Sequence, residues 1–249
     1  METPAAFDVN GLCYSYNNQI TALDHVSLSV RPGERVAILG SNGSGKSTLL
    51  KILDGLYFPS QGSVSAFGSP LTEHAFQEDA FNFDFRRRVS LVFQDSDVQL
   101  FMPCVWDELA FAPLQLEVDQ NEVKRLVEAA LHDLQIEKLR ERAPHQLSGG
   151  EKKRVALASV LGLSPQVWLL DEPSAGLDPR SVAWLLDFIN RQGRAGKTVI
   201  TATHDLGILE TIAGRVYVLG EEHRVVAEGT PQEILADKAL LVSSCLMRP

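Results

Sequence analysis

Short apolar runs along this chain alternate with longer stretches in which apolar positions recur at helical spacing. Five runs rich in Val, Ile and Leu predict buried strands, and they lie at residues 35–39, 89–93, 167–170, 198–202 and 215–219. Continuous apolar runs of this length are typical of parallel strands that are covered on both faces. Because helical patterns separate them, the pattern predicts an α/β fold with a mostly parallel sheet.

The opening part of the chain has a different pattern. Residues 5–34 alternate between apolar and polar positions and contain turn signals at Asn17-Asn18 and Pro32-Gly33. We therefore predict antiparallel strands on one edge of the fold.

Several helix boundaries carry sequence signals. Residues 47–53 predict a short helix closed by Gly55. Three later helices have candidate N-terminal caps, which are Asp119 with Glu122, Asp178 with Pro179, and Thr230 with Glu233. Residues 72–88 are polar and aromatic and give no clear assignment.

Helical sequence between residues 95 and 155 interrupts the alternation of strands and helices. We predict that it forms a small helical subdomain, inserted into a core made of residues 5–94 and 156–230. The whole domain is expected to span residues 5–240, and residues 231–249 to form a short C-terminal tail.

Composition narrows the class of protein. The 249 residues include 45% hydrophobic ones, which is ordinary for a globular domain, and the net charge of -9 disfavours a general nucleic-acid binder. Cys13, Cys104 and Cys245 are widely spaced and are expected to be reduced thiols of a cytosolic protein. No run approaches the roughly 20 apolar residues of a membrane span. The six His residues are scattered and predict no metal site of their own.

A glycine-rich loop follows the first predicted buried strand. It fits the pattern G-x-x-x-x-G-K-[ST] and consists of Gly40, Ser41, Asn42, Gly43, Ser44, Gly45, Lys46, Ser47 and Thr48. Glycines let successive backbone N–H groups face a phosphate chain, and the following helix adds its positive end. Lys46 is expected to bridge the β- and γ-phosphates, and Ser47 to bind Mg²⁺.

Two acids end the apolar strand at residues 167–170. An acidic strand end is by itself usually a solvated turn, but in a chain with a phosphate loop Asp171 is placed to hold Mg²⁺. Glu172, the next residue, is expected to polarise the attacking water as a general base.

A third motif, Leu-Ser-Gly-Gly-Glu at residues 147–151, precedes a helical run. Ser148 and Glu151 have the spacing of a capping box, which explains two of the five residues. A cap does not need Gly149 and Gly150, whereas two glycines at a helix start expose backbone N–H groups to an anion.

This motif, between the phosphate loop and the Asp-Glu strand, resembles the nucleotide-binding domain of ABC ATPases, which has a RecA-like core. The resemblance covers about residues 5–235 and implies roles for further residues. Tyr16 would stack on adenine, with Tyr14 as the alternative. Gln94 would be the Q-loop glutamine at the metal, and His204 the switch histidine at the γ-phosphate, with the D-loop at residues 174–178.

The resemblance also implies ATP and Mg²⁺ as cofactors and a second ATPase subunit, identical or paralogous, as partner. In the family two domains pair head to tail, so Ser148, Gly149 and Gly150 of one chain complete the site at the other's phosphate loop. ATP closes this dimer and hydrolysis reopens it.

The segment after Gln94 is similar to that of energy-coupling-factor importers, especially their cobalt/nickel uptake ATPases. That group has a Gln-Asn/Asp-Pro-x-x-Gln-Leu-Phe run, from which this chain departs at Ser96 and Val98. The resemblance implies an integral coupling subunit, a substrate-binding membrane subunit and a place on the cytoplasmic face of the membrane. Five apolar residues would line the coupling groove or pack within the subdomain: Val98, Leu100, Phe101, Val105 and Trp106.

Other functions remain open at this point. A vitamin-type energy-coupling-factor importer would use the same ATPase chemistry. An ABC ATPase of DNA repair or the ribosome would have long coiled-coil insertions or tandem domains, which this sequence lacks. A scaffold that binds ATP without hydrolysis would not need Lys46, Glu172 and His204 together. A simple phosphate-loop kinase would have no use for residues 147–151.

Overall fold

The computed structural model describes residues 4–17 and 19–248, which form two sheets and the helices around them. The strands are β1 (Phe7–Tyr16), β2 (Ile20–Val30), β3 (Arg35–Leu39), β4 (Gln61–Ala66), β5 (Ser69–Pro70), β6 (Val89–Val92), β7 (Val167–Asp171), β8 (Thr198–Thr203), β9 (Arg215–Leu219) and β10 (Val225–Gly229). The α-helices are α1 (Lys46–Leu53), α2 (Glu73–Phe76), α3 (Asp79–Arg88), α4 (Ser96–Gln99), α5 (Val105–Gln115), α6 (Gln120–Asp133), α7 (Gly149–Leu161), α8 (Pro179–Arg194), α9 (Leu209–Ile212), α10 (Pro231–Ala236) and α11 (Lys238–Ser243).

The larger sheet has six strands in the order β10-β9-β3-β8-β7-β6. All neighbours are parallel except β10, which pairs antiparallel with β9. The five predicted buried strands are β3, β6, β7, β8 and β9, so the prediction of a mostly parallel sheet is confirmed. Their bounds differ from the predicted ones by one residue at most.

The opening strands pair antiparallel, as expected, but they do not lie on the edge of the parallel sheet. They form a second sheet in the order β2-β1-β4-β5. Apolar side chains from its inner face, including Leu12 and Val30, pack with Leu49 of α1 and with Leu169 of the large sheet. The apolar face of this second sheet is buried only when the whole sheet packs over α1. The edge of the large sheet is therefore formed by β10 instead.

Helices cover the opposite face of the large sheet. There Trp168 of β7 meets Phe188 of α8 edge to face, with ring centroids 5.3 Å apart. The predicted subdomain, residues 95–155, contains α4, α5, α6 and the first half of α7. Helix α7 continues beyond this range to Leu161. One of its sides packs against the core of the large sheet, and the other packs against α5.

The helix caps follow the sequence signals with one correction. Asp178 accepts hydrogen bonds from the backbone of Arg180 and Ser181, and Thr230 forms the expected capping box with Glu233. Asp119 caps α6 through the backbone N–H of Asn121, but the box with Glu122 is absent, because the Glu122 carboxylate binds Arg125 instead. The unassigned stretch at 72–88 forms α2 and α3. Within the described residues, no helix is long and apolar enough to cross a bilayer.

Candidate nucleotide site

The parallel strands bring the candidate residues to one edge of the large sheet. The phosphate loop follows the carboxyl end of β3, and Gln94 follows that of β6. Asp171 and Glu172 lie at the end of β7, and His204 directly follows β8. Because carboxyl ends of neighbouring parallel strands lie side by side, residues far apart in sequence meet at this edge of the sheet.

The phosphate loop has the backbone that its glycines predict. Gly43 and Gly45 have φ of 86° and 109°, in the region that side chains disfavour. A Cβ atom on Gly45 would lie 2.2 Å from the carbonyl oxygen of Ala22 in β2. The loop therefore packs directly against the antiparallel sheet, and α1 begins at the next residue, Lys46.

Lys46 is buried among oxygen atoms. Its Nζ donates to the carbonyl oxygens of Gly40 at 2.8 Å and Ser41 at 3.0 Å, and it lies 3.1 Å from Oε1 of Glu172. The ammonium group is thus held at the mouth of the loop by the loop's own backbone.

Glu172 lies between Lys46 and His204. Its Oε1 is 2.9 Å from Nδ1 of His204, and its Oε2 accepts from the His204 backbone N–H at 3.4 Å. Oε1 lies close to both side chains, and neither contact has hydrogen-bond geometry. The residue has φ of 41°, an uncommon conformation for a side chain other than Gly. Such strain is concentrated at functional sites.

Asp171 contacts Ser47, as a shared metal site requires. Ser47 Oγ donates to Asp171 Oδ1 at 3.0 Å. Burial is the main cause that raises the pKa of the Asp171 carboxyl, and the neighbouring charge of Glu172 raises it further. A hydroxyl and a carboxylate are the hard oxygen ligands that Mg²⁺ prefers, so the donor set fits this ion.

A cleft of about 490 Å³ lies at the phosphate loop and reaches Glu172, whereas His204 lines a neighbouring recess that shares Glu172 with it. The walls of the cleft are formed by Tyr16, Ile20, Thr21, Ala22, Asn42, Gly43, Gly45, Lys46, Ser47, Thr48, Gln94, Glu172 and His223. Tyr16 lies at the rim, where its hydroxyl is 2.9 Å from Oγ1 of Thr48. Tyr14, the alternative for adenine, is stacked on Tyr57 with centroids 5.4 Å apart. Tyr16 also contacts Tyr14 and Tyr57, edge to face with centroids 5.2 and 5.9 Å apart, but unlike Tyr14 it lines the cleft. This position favours Tyr16 for adenine.

One cleft residue was missed by the sequence analysis. His223 lies in the turn between β9 and β10, with Nδ1 3.2 Å from the carbonyl oxygen of Ser44. The signal that points to it is its place after β9, because this parallel strand also ends at the cleft edge.

The glycine pair of the third motif lies elsewhere. Ser148, Gly149 and Gly150 begin α7 and line a second recess together with Gly176 and Asp178. Ser148 and Glu151 form the capping box, and a Cβ on Gly149 would meet no atom within 4 Å. The cap and an open backbone surface therefore coexist. Within one chain, this surface does not share the cleft of the phosphate loop.

Lys153 ties α7 to the segment of Gln94. Its Nζ donates to the carbonyl oxygens of Phe93 at 3.0 Å and Gln94 at 2.9 Å, and the residue is buried. Burial lowers the pKa of this amine to about 8. The helix that starts at the glycine pair is thus fixed to the loop that enters the nucleotide cleft.

The glycine-rich loop, with Lys46 beside Glu172 and Ser47 beside Asp171, defines a phosphate-loop nucleotide-binding protein. The glycine pair at the start of α7 adds a second surface that faces away from the nucleotide cleft. The sequence profile of the ABC transporter family matches residues 23–175. The chain therefore belongs to the ABC transporter ATP-binding family, as the motifs indicated.

Relatives and solved structures support a narrower group. The nickel import ATP-binding protein NikO of Rhodobacter capsulatus is 50% identical, over 96% of this chain and 94% of the relative. The energy-coupling factor transporter ATP-binding protein EcfA of Methanoculleus marisnigri is 42% identical, over 97% and 85%. The structure of CbiO1 from Clostridium perfringens, part of the complex CbiONQ, superimposes with a TM-score of 0.82 at 35% identity, over 100% and 97% of the two chains. The resemblance to energy-coupling-factor ATPases is thereby confirmed.

Proposed function

We propose that this chain is an ATPase subunit of an energy-coupling-factor importer that takes up cobalt or nickel ions. The observation that carries the ATPase part is the buried Glu172 carboxylate, held between Lys46 and His204 at the cleft edge. The similarity to the nickel import protein NikO supports the cargo class.

Lys46 is positioned to exchange partners when ATP binds. In this structure its ammonium group donates hydrogen bonds to two loop carbonyls and forms an ion pair with Glu172. A triphosphate offers stronger charged acceptors at the same mouth of the loop, so Lys46 turns to the β- and γ-phosphates. When Lys46 reorients in this way, Glu172 loses its cationic neighbour.

Glu172 then acts as the general base for the attacking water. It directly follows β7 and lines the cleft of the phosphate loop, and its backbone has a positive φ of 41°. His204 lies 2.9 Å from Oε1, close enough to orient the carboxylate and to contact the γ-phosphate.

The oxygen atoms of Ser47 and Asp171, with the side chain of Gln94, would hold Mg²⁺ beside the phosphates. When bound, the ion neutralises charge that develops on the phosphate oxygens. Tyr16 at the rim is the surface for adenine.

A head-to-tail dimer would bring the second recess into use. Ser148, Gly149 and Gly150 present the start of α7 to solvent, away from the chain's own cleft. In a dimer these N–H groups would meet the γ-phosphate held by the partner subunit. The partner is a second copy or a close paralogue.

The surface after Gln94 supports a membrane partner. Val98 and Phe101 are 69% and 63% exposed, and Phe101 packs on Phe111 at 5.0 Å beside an apolar groove of about 400 Å³. Leu100 and Val105 follow the other alternative, because they are buried in the subdomain core. The coupling helix of an integral subunit would bind at Val98 and Phe101, and the chain would then lie at the cytoplasmic face of the membrane.

The test is affinity purification of the tagged chain from its native membranes in mild detergent. We expect an integral coupling subunit and a substrate-binding membrane protein to co-purify. The variants V98D and F101D should lose both, whereas V226D, an equally simple change on the exposed strand β10, should keep them.

Recovery of the chain alone, or with nucleic acid or ribosomes, would contradict the transport assignment and leave the ATPase chemistry standing. A vitamin-binding membrane subunit in the complex would contradict the cobalt or nickel cargo.

A further inference from the structure

Three potential metal ligands converge where β1 pairs with β2. The Sγ atom of Cys13 lies 3.6 Å from Nδ1 of His25 and 3.9 Å from Oδ1 of Asp24. Nδ1 of His25 is 2.5 Å from the same Asp24 oxygen, and all ligand atoms lie within 4.8 Å of one another. The ATPase mechanism uses none of these three side chains.

A β-bulge produces this convergence. Leu12 pairs with Val26 and Tyr14 with Leu23, so the single residue Cys13 of β1 faces two residues of β2. Side chains of adjacent strand residues normally point to opposite faces, but a bulge re-aims one of them. His25 adopts a φ of 50° at this bulge, which is an unfavourable backbone conformation for a residue other than Gly. No sequence signal points to this cluster, because Cys13 and His25 are twelve positions apart and only strand pairing brings them together.

The spacing of the ligand atoms suits a tetrahedral ion. With metal–sulfur bonds near 2.3 Å and metal–nitrogen or metal–oxygen bonds near 2.0 Å, neighbouring ligand atoms lie about 3.3–3.6 Å apart. The two distances from Cys13 Sγ are already within about 0.4 Å of this range. The third is shorter because a hydrogen bond joins His25 to Asp24, and a metal would replace that proton.

We propose that Cys13, Asp24 and His25 bind a divalent transition-metal ion of the zinc, cobalt or nickel class, and that the bound ion weakens ATP binding. A thiolate with an imidazole selects such ions over Mg²⁺. His25 is exposed and Cys13 half-buried, so the ion enters from solvent and keeps a water ligand.

The cluster is connected to the phosphate loop through one turn. The backbone N–H of Asp24 donates to the carbonyl of His223 at 2.9 Å, and its Oδ2 accepts from Nε of Arg224 at 2.7 Å. His223 in turn contacts the carbonyl oxygen of Ser44. The metal would bind Oδ1 of Asp24 while Arg224 holds Oδ2 of the same carboxylate. A bound cation shares the charge of this carboxylate and repels the Arg224 guanidinium, which weakens the Arg224 contact and loosens the turn that forms one wall of the cleft.

The first experiment titrates the nucleotide-free full chain with Co²⁺ under a thiol-free reductant. We expect a saturable sulfur-to-cobalt charge-transfer absorption at one ion per chain, displaced by Zn²⁺. The oxygen ligands Ser47 and Asp171 cannot give this band, because it requires a thiolate. C13S should abolish it and H25A should weaken Co²⁺ binding at least about ten-fold. C104S and C245S are the matched controls and should keep it.

The absence of the band, its persistence in C13S or its loss in C104S would overturn the site. Circular dichroism of C13S and H25A checks that both variants are folded.

The second experiment measures ATP affinity at a fixed free Zn²⁺ concentration. Linkage predicts that Zn²⁺ weakens ATP binding about five-fold in the wild type and has no such effect in C13S. The C13S control removes any effect of Zn²⁺ on ATP itself. An equal shift in both proteins would overturn the coupling between the two sites.

Discussion

Glu172 shows how much one residue's backbone contributes to the site. Its N–H completes the pairing of β7 with β8 by donating to Ala202 at 2.9 Å, while its positive φ turns the side chain toward Lys46. In extended conformation the carboxylate of this residue would follow the strand alternation to the face opposite Asp171. The strained turn therefore keeps both acids at the cleft.

The variant E172Q should bind ATP and lose turnover. The amide keeps the shape of the carboxylate but cannot accept a proton, and Ser47 and Asp171 are unchanged. We expect kcat to fall about 10²- to 10⁴-fold, with accumulation of an ATP-bound dimer on size-exclusion chromatography. E228Q, on the exposed strand β10, is the control. Near-normal turnover of E172Q would contradict the role of general base.

At the scale of elements, the five parallel strands of the large sheet were predictable because continuous apolar runs mark strands that are covered on both faces, whereas the antiparallel strand β10 was not predicted. The strands β4 and β5 were not predicted, since their residues are mostly exposed and few are apolar. Helix α3 was hidden by Phe81, Phe83 and Phe85, which alternate as in a strand. An aromatic cluster around Phe76 overrides this period, with Phe76 and Phe85 centroids 5.0 Å apart.

The motifs located most of the candidate site but not its contacts. The order of motifs assigned Lys46, Glu172 and His204, because each follows a predicted buried strand. Their mutual distances, and the place of His223, depend on the strand order β9-β3-β8-β7, which no local pattern encodes. The hydrogen bonds of Lys153 were likewise invisible, since they join segments about 60 residues apart.

Removal of the Lys153 ammonium group should loosen the connection between α7 and the Gln94 segment. In K153A the carbonyls of Phe93 and Gln94 lose a buried donor, so we expect the unfolding free energy to fall by about 1–3 kcal/mol and turnover to drop. Chemical denaturation and ATPase assays measure both. The matched control is K152A, whose more exposed partner is Asp97, with an expected loss below about 1 kcal/mol. Equal losses in the two variants would contradict the assignment.

The contact between α1 and α3 should make stability depend on pH. Burial raises the pKa of the Asp54 carboxyl to about 7, although Arg86 at 3.0 Å lowers it. The folded state thus binds a proton that the unfolded state has released above about pH 4. The unfolding free energy consequently falls as pH rises through this window and levels off above pH 7.

D54N removes this titration and isolates its effect. We expect the wild type to lose about 2 kcal/mol more than D54N between pH 5 and pH 8 in urea unfolding. Parallel pH profiles would show that Arg86 keeps the carboxylate charged throughout.

For the whole molecule, the decisive feature is that one chain carries two separate recesses. The phosphate loop lines one, and the start of α7 lines the other. Neither has the full set of groups that ATP hydrolysis needs in the proposed dimer. Activity is therefore a property of the pair, and the affinity for ATP is coupled to the affinity of the subunits for each other.

The variant S148R should separate binding from closure. Arginine adds bulk and charge at the outward recess only, so the monomer's ATP affinity should stay within about two-fold of wild type, while ATP-driven dimerisation is blocked. Loss of the N-terminal cap of α7 should cost about 1 kcal/mol. Nucleotide titration and analytical ultracentrifugation measure these effects. R180A, at the rim of the same recess but outside the cap, controls for a general change there. A large loss of monomer affinity would contradict the two-recess arrangement.

The two recesses also decide how defects combine when different chains meet. In the proposed dimer, a chain damaged at Lys46 still offers a sound glycine surface, and a chain damaged at Ser148 still offers a sound phosphate loop. A homodimer of either variant is inactive. In a mixed dimer, one of the two ATP sites is intact, and the other contains both defects. Two damages on one chain, by contrast, spoil both sites of any pair that includes it. Complementation between inactive alleles is therefore built into the geometry of a single chain.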